Sequence, residues 1–183
     1  MSKTGFLLFG RFDSDNSIDS EIQQCLQHFG NLEIDLHFLG FGAAGKNTTK
    51  LNDNFSLFES LDITFFQNKI VSKLENFTEL GYNKTIICSC SYQIKNLNFL
   101  DKNLIFVYYD DLDFEKHKNI NHRFMYGRTS LIKRIWENRP FDVTKDLDKN
   151  LFLNTFNVIG LKKMNENKVL MDQTIQRIGW SSQ

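Results

Sequence analysis

Proline is almost missing from this sequence: one residue, Pro140, in 183. So little proline leaves few rigid linkers, which favours one compact unit over residues 1–183. Cysteine is scarce as well, represented by Cys25, Cys88 and Cys90. An odd number of thiols in a chain of this size argues against a secreted scaffold stapled by disulfides and for a reducing, cytoplasmic setting. Charge of one sign is also missing, since 22 Lys+Arg balance 22 Asp+Glu. Without a basic excess, general binding to nucleic acid or to an anionic membrane surface is not expected. Long apolar runs are absent too. The run Gly5 to Phe9 is too short for a membrane span or for the core of a signal peptide, so no targeting segment is expected.

What is present is an ordinary globular composition, 41% hydrophobic and 24% charged, which argues against disorder. Phenylalanine is unusually frequent, at 18 residues. Gly5 to Phe9 reads as a buried strand. Ile18, Ile22, Cys25, Leu26 and Phe29 then fall at helical spacing, with Gly30 in the position that closes a helix. Ile34, Leu36 and Phe38 alternate with Glu33, Asp35 and His37, as in a second strand. Residues 40–60 read mostly as loop, followed by a short strand at Ile63 to Phe66. Ile70, Val71, Leu74, Phe77 and Leu80 predict a helix ending at Gly81. Thr85 to Cys88 and Leu104 to Tyr109 read as further strands. Later helices carry Leu131, Ile132, Ile135 and Trp136, and then Leu147, Leu151, Phe152 and Phe156. The alternation predicts an α/β fold, a mostly parallel sheet flanked by helices. Ligands of such sheets bind beyond the carboxyl ends of the strands. That rule points to Gly10 to Asp13, Gly40 to Thr48 and Asp110 to Asp113.

Three motifs bear on chemistry. Gly40 to Thr48 approaches the phosphate loop G-x-x-x-x-G-K-[ST], with Lys46 as its lysine, but Asn47 stands in the hydroxyl position. A flexible glycine-rich loop accounts for the same residues. Asp111-Leu112-Asp113 follows an apolar strand and matches the D-x-D with which sugar-nucleotide transferases hold Mn²⁺ or Mg²⁺ against a diphosphate. Acidic residues also commonly end strands at solvent. Cys88 and Cys90 share a face of a strand and read as buried thiols rather than as half of a metal site.

The order of these pieces resembles the GT-A-like glycosyltransferases of polysaccharide and lipopolysaccharide synthesis, the WavE-type proteins among them. The resemblance spans roughly residues 5–160 and is carried by Phe6-Leu7-Leu8-Phe9-Gly10-Arg11, Glu33 to Phe38, Ile86 to Tyr92, and Asn121-His122-Arg123-Phe124 to Leu131. It implies a single GT-A-like, Rossmann-like domain and a nucleotide-sugar donor with a glycan or other acceptor. It also implies donor contacts at Gly10, Arg11, Arg123, Arg128 and Ser130, and a loop and helix over the sugar from Asn121 onward. Cys90 and Tyr92 stand where the family has Arg and Asp, and His122 stands where it has Asp. A phenol cannot replace a chelating carboxylate without loss of charge. Either Asp111 and Asp113 take the metal, or the chain is a binding or structural module on a degenerate transferase fold, for example in a phage or virion. The third expectation is a P-loop-like nucleotide hydrolase built on Lys46.

Overall fold

The computed structural model describes residues 3–11, 34–41, 54–59, 62–108, 116, 118–137 and 146–177. The helix expected from Ile18 to Phe29 lies outside them, as do Lys46, Asp111, Asp113 and Pro140. A seven-stranded sheet is built from β1 (Thr4–Arg11), β2 (Asp35–Phe41), β3 (Phe55–Phe58), β4 (Lys84–Ser89), β6 (Leu104–Tyr108), β7 (Asn121–Arg128) and β8 (Lys168–Leu170), in the order β3-β2-β1-β4-β7-β6-β8. β7 runs antiparallel to both of its neighbours, and the other pairs are parallel. The expected mostly parallel α/β sheet is therefore present. A separate antiparallel ribbon joins β5 (Tyr92–Ile94) to β9 (Ile175–Arg177).

The strands are apolar on both faces because both faces are covered. Leu7 and Phe9 of β1, Leu39 and Phe41 of β2 and Ile87 of β4 pack under helices α1 (Ile63–Glu79), α2 (Thr129–Glu137) and α3 (Leu147–Asn167). On the other face Phe6, Leu8, Phe38, Ile86, Cys88 and Phe124 meet Phe99, Tyr92 of β5 and Ile175 of β9. A four-residue helix, α4 (Met171–Thr174), joins β8 to β9.

Three local expectations are corrected. Ile63 to Phe66 is not a strand but the first turn of α1, because Asp62 caps it, its side chain accepting from the Phe65 amide at 2.8 Å. The strand of this region is β3, inside the segment expected to be loop. Asn121 to Arg128 is not a loop but the reversed strand β7 between β4 and β6, where Phe124, Met125 and Tyr126 are all buried. Its apolar middle is that of a central strand covered on both faces.

The helix ends obey local chemistry. α1 stops at Gly81, whose φ of 76° suits glycine. The Gly81 amide donates to the Thr78 carbonyl and the Tyr82 amide to the Phe77 carbonyl, the paired bonds of a Schellman closure. α3 starts at the cap Asp146 and breaks at Gly160, where φ is 76° and ψ 161°.

Candidate functional site

From β1 the chain steps outward to β2 and β3, then crosses back to place β4 on the other side of β1. The carboxyl ends of β1 and β4 thus border the crevice where an open α/β sheet changes direction, the usual place for a ligand. Gly10 and Arg11 end β1 there, in register with Gly40 and Phe41 of β2. β4 ends beside them at Ser89 and turns through Cys90 and Ser91 into β5. The turn is tied down: the Cys90 amide donates to the Phe9 carbonyl at 2.7 Å, and the Ser89 and Ser91 hydroxyls lie 2.8 Å apart. Cys88 and Cys90 are buried and form no disulfide, in line with the buried-thiol expectation.

The reversed strand brings its first residues to the same edge. Asn121 pairs with Val107 of β6, but the next β6 pair is Phe106 with Met125. His122, Arg123 and Phe124 therefore have no partner on β6 and form a bulge. Bulges of this kind re-aim side chains and are frequent beside active sites. The bulge is braced from within, because the buried Asn121 side chain accepts the Arg123 amide at 3.0 Å. The Arg123 guanidinium sits 5.9 Å from the centre of the Tyr92 ring. A second such pair, Lys168 over Tyr108 at 5.6 Å, lies on β8 and β6 at the same edge. Each ring face attracts its cation through the ring quadrupole and helps to set where that cation sits.

His122 stacks on Phe9 with ring centres 6.1 Å apart. Its Nδ1 lies 2.7 Å from Oδ1 of Asp148 on α3, and its backbone amide donates to the same oxygen at 2.8 Å. This pair was not anticipated. Its signal in the sequence is the polar trio Asn121-His122-Arg123 opening a strand that is otherwise apolar through Tyr126.

The structure divides the residues singled out from the sequence. Gly10, Arg11 and Arg123 share the carboxyl edge. Arg128 and Ser130 do not, because Arg128 pairs with Lys84 at the start of β4 and Ser130 follows it into α2. Their grouping with Gly10 is corrected by the reversal of β7, which sends its two ends to opposite edges of the sheet. Asp111 and Asp113 follow β6, whose last residue Tyr108 is at the carboxyl edge. After β4, Ser89-Cys90-Ser91-Tyr92 offers hydroxyls, a buried thiol and a ring facing Arg123. Such a set does not fit a hard divalent cation. Among the described residues no three His, Cys, Asp or Glu side chains are grouped to hold a metal ion. Among them, too, no helix is long and apolar enough to cross a membrane.

The amino edge of the sheet carries a different polar group. His37 is buried, its Nε2 3.3 Å from the Tyr82 hydroxyl, which donates to Asp35 at 2.8 Å. Burial holds the His37 imidazole down at about 4, with the positive charge of Lys73 adding to the effect. Burial and then the Asp35 hydrogen bond push the Tyr82 phenol up to about 12.

Compared with models of known protein families and with curated protein sequences, the chain has no match.

Proposed function

We propose that this chain is a glycosyltransferase-type α/β domain that binds a nucleotide-sugar at the carboxyl edge of β1, β4 and β7. The observation that supports this reading is the convergence of Gly10, the Ser89-Cys90-Ser91 turn and the bulged Arg123 around the switch point of the sheet. Gly10 leaves room for close approach of a ligand to backbone, and Arg123 offers the bidentate guanidinium that a diphosphate takes best. The sheet, with one reversed strand beside the switch, is compatible with the GT-A-like architecture that the sequence resemblance implies. On this reading the transferred sugar goes to a glycan or another hydroxyl acceptor. Asp111 and Asp113 are the carboxylates assigned to Mn²⁺ or Mg²⁺, since the turn after β4 does not supply them. Calorimetry with UDP-, GDP- and CMP-sugars in the presence of Mn²⁺ tests the proposal. Binding of one class is expected, and no binding of any at millimolar concentration removes it.

A second reading has its own support. Ser89-Cys90-Ser91-Tyr92 lacks the charge of the family's metal motif, which favours a binding or structural module that no longer transfers sugar. In that case Asp111→Asn combined with Asp113→Asn leaves function intact. Loss of sugar transfer in the double variant counts against the module and for the enzyme. Nothing comparable favours the phosphate-loop hydrolase: Gly40 sits within the β2 ladder opposite Gly10 and Leu57, and Lys46 lies outside the described residues.

A further inference from the structure

We infer that His122 is the general base of this edge and that Asp148 is its positioning residue. The inference rests on the nucleotide-sugar reading and adds a group to it. An ionised carboxylate only accepts hydrogen bonds, so a 2.7 Å contact between Asp148 Oδ1 and His122 Nδ1 places the ring proton on Nδ1. The lone pair is then on Nε2, which has no hydrogen-bond partner among the described residues. The side chain retains 22% of its exposure, against 15% for Asp148. Phe9 of β1 stacks on the ring and Phe66 of α1 meets it edge-on, which fixes its plane. The described charged group against the ring is Asp148 from α3, while the Arg123 guanidinium, one residue on, lies over the Tyr92 ring of the other face's cluster.

A purely structural clamp between β7 and α3 needs only the amide bond from His122 to Asp148, at 2.8 Å. The second bond, to Nδ1, adds a fixed tautomer and ring orientation. That is what a base needs. It sits on the bulge, one residue from Arg123 and against the strand that ends in Gly10. In the step assigned to it, an acceptor hydroxyl, or water in its place, attacks the anomeric carbon of the donor sugar. The new carbon–oxygen bond forms as the bond from that carbon to the nucleotide's phosphate oxygen breaks. The electron pair of the broken bond leaves with the nucleotide, and the proton of the attacking hydroxyl passes to His122 Nε2.

The test measures nucleotide release from UDP-glucose, GDP-mannose and CMP-N-acetylneuraminate by the full chain, with donor affinity read in parallel by calorimetry. His122→Gln is expected to lower kcat by about 10²–10⁴-fold with little change in Kd. His122→Gly is expected to regain part of its rate when imidazole is added, which a structural role does not predict. The two variants are read separately, so a folding failure in one leaves the other decisive. Asp148→Asn is expected to lower kcat with little change in donor Kd, and Asp148→Glu to restore part of the rate, a split that a merely structural role does not predict. If the wild-type chain binds a donor and His122→Gln releases nucleotide at the wild-type rate, the assignment of the base is overturned and the donor reading stands. Donor binding by wild type with no nucleotide release overturns it equally. If wild type binds no donor, the functional reading itself falls, and the base with it.

Discussion

The two edges of the sheet are built to different ends. At the amino edge several polar groups are bonded to other parts of the chain. Lys3 meets Asp35, Asp35 takes the Tyr82 hydroxyl, and Thr129 Oγ1 donates to the Tyr82 carbonyl. Lys84 donates to the carbonyls of Leu100 and Lys102. Backbones approach so closely that a Cβ on Gly127 would stand 2.6 Å from the Asn103 carbonyl oxygen. At the carboxyl edge the same strands end in a bulge and a serine-rich turn. One edge is knit by bonds between strands and loops, and the other carries the irregular strand ends that border the crevice. In an open α/β sheet this division separates stability from ligand binding.

The comparison can be broken by substitution. Gly127→Val has the largest expected effect, because its side chain meets the backbone of Asn103 and Leu104 rather than a movable side chain. A loss of about 3 kcal/mol or more is expected in denaturant unfolding. A similar loss is expected on acidification. The unfolded His37 takes a proton near its ordinary 6.5, while the folded residue resists it down to about 4. Stability is therefore complete above pH 6.5 and falls as pH drops toward 4, by about 3 kcal/mol across that window. His37→Leu should flatten the fall, and an unchanged pH profile in that variant refutes the attribution. Tyr82→Phe leaves His37 Nε2 and Asp35 without their shared hydroxyl and is expected to cost about 1 kcal/mol. Arg123→Gln is expected to change stability least, by no more than about 0.5 kcal/mol, as a partly buried side chain near the start of β7 whose described ring contact is the one with Tyr92. A large fall in Tm for Arg123→Gln would move that residue to the structural side of the comparison.

Much of the fold is legible in the sequence because apolar periodicity is strong where a strand or helix is covered. Gly5 to Phe9, Ile86 to Cys88 and Leu104 to Val107 have little choice but to be buried strands. Gly81 ends its helix for a reason that one residue carries. The errors occur where two periods compete. Ile63-Thr64-Phe65-Phe66 has the β-branched and aromatic makeup of a strand, yet the cap at Asp62 and the packing of Phe66 against Phe9 make it helix. His37 counts as polar in the alternation of β2 but is buried against the Phe77 ring. The site is less legible than the fold. Arg123 and Arg128 are close in sequence, and only the direction of β7 reveals that they serve opposite edges. His122 and Asp148 are 26 residues apart and meet only when α3 packs across the bulge.

That separation of Arg123 from Arg128 supplies the most direct test of the central claim, that the ligand-binding edge is the carboxyl edge. Calorimetric titration of the UDP-, GDP- and CMP-sugars should be carried out on wild type, Arg123→Gln and Arg128→Gln side by side. The account predicts that Arg123→Gln weakens donor binding by about 10–100-fold while Arg128→Gln binds as wild type does. Loss of binding in Arg128→Gln with Arg123→Gln unaffected would contradict it.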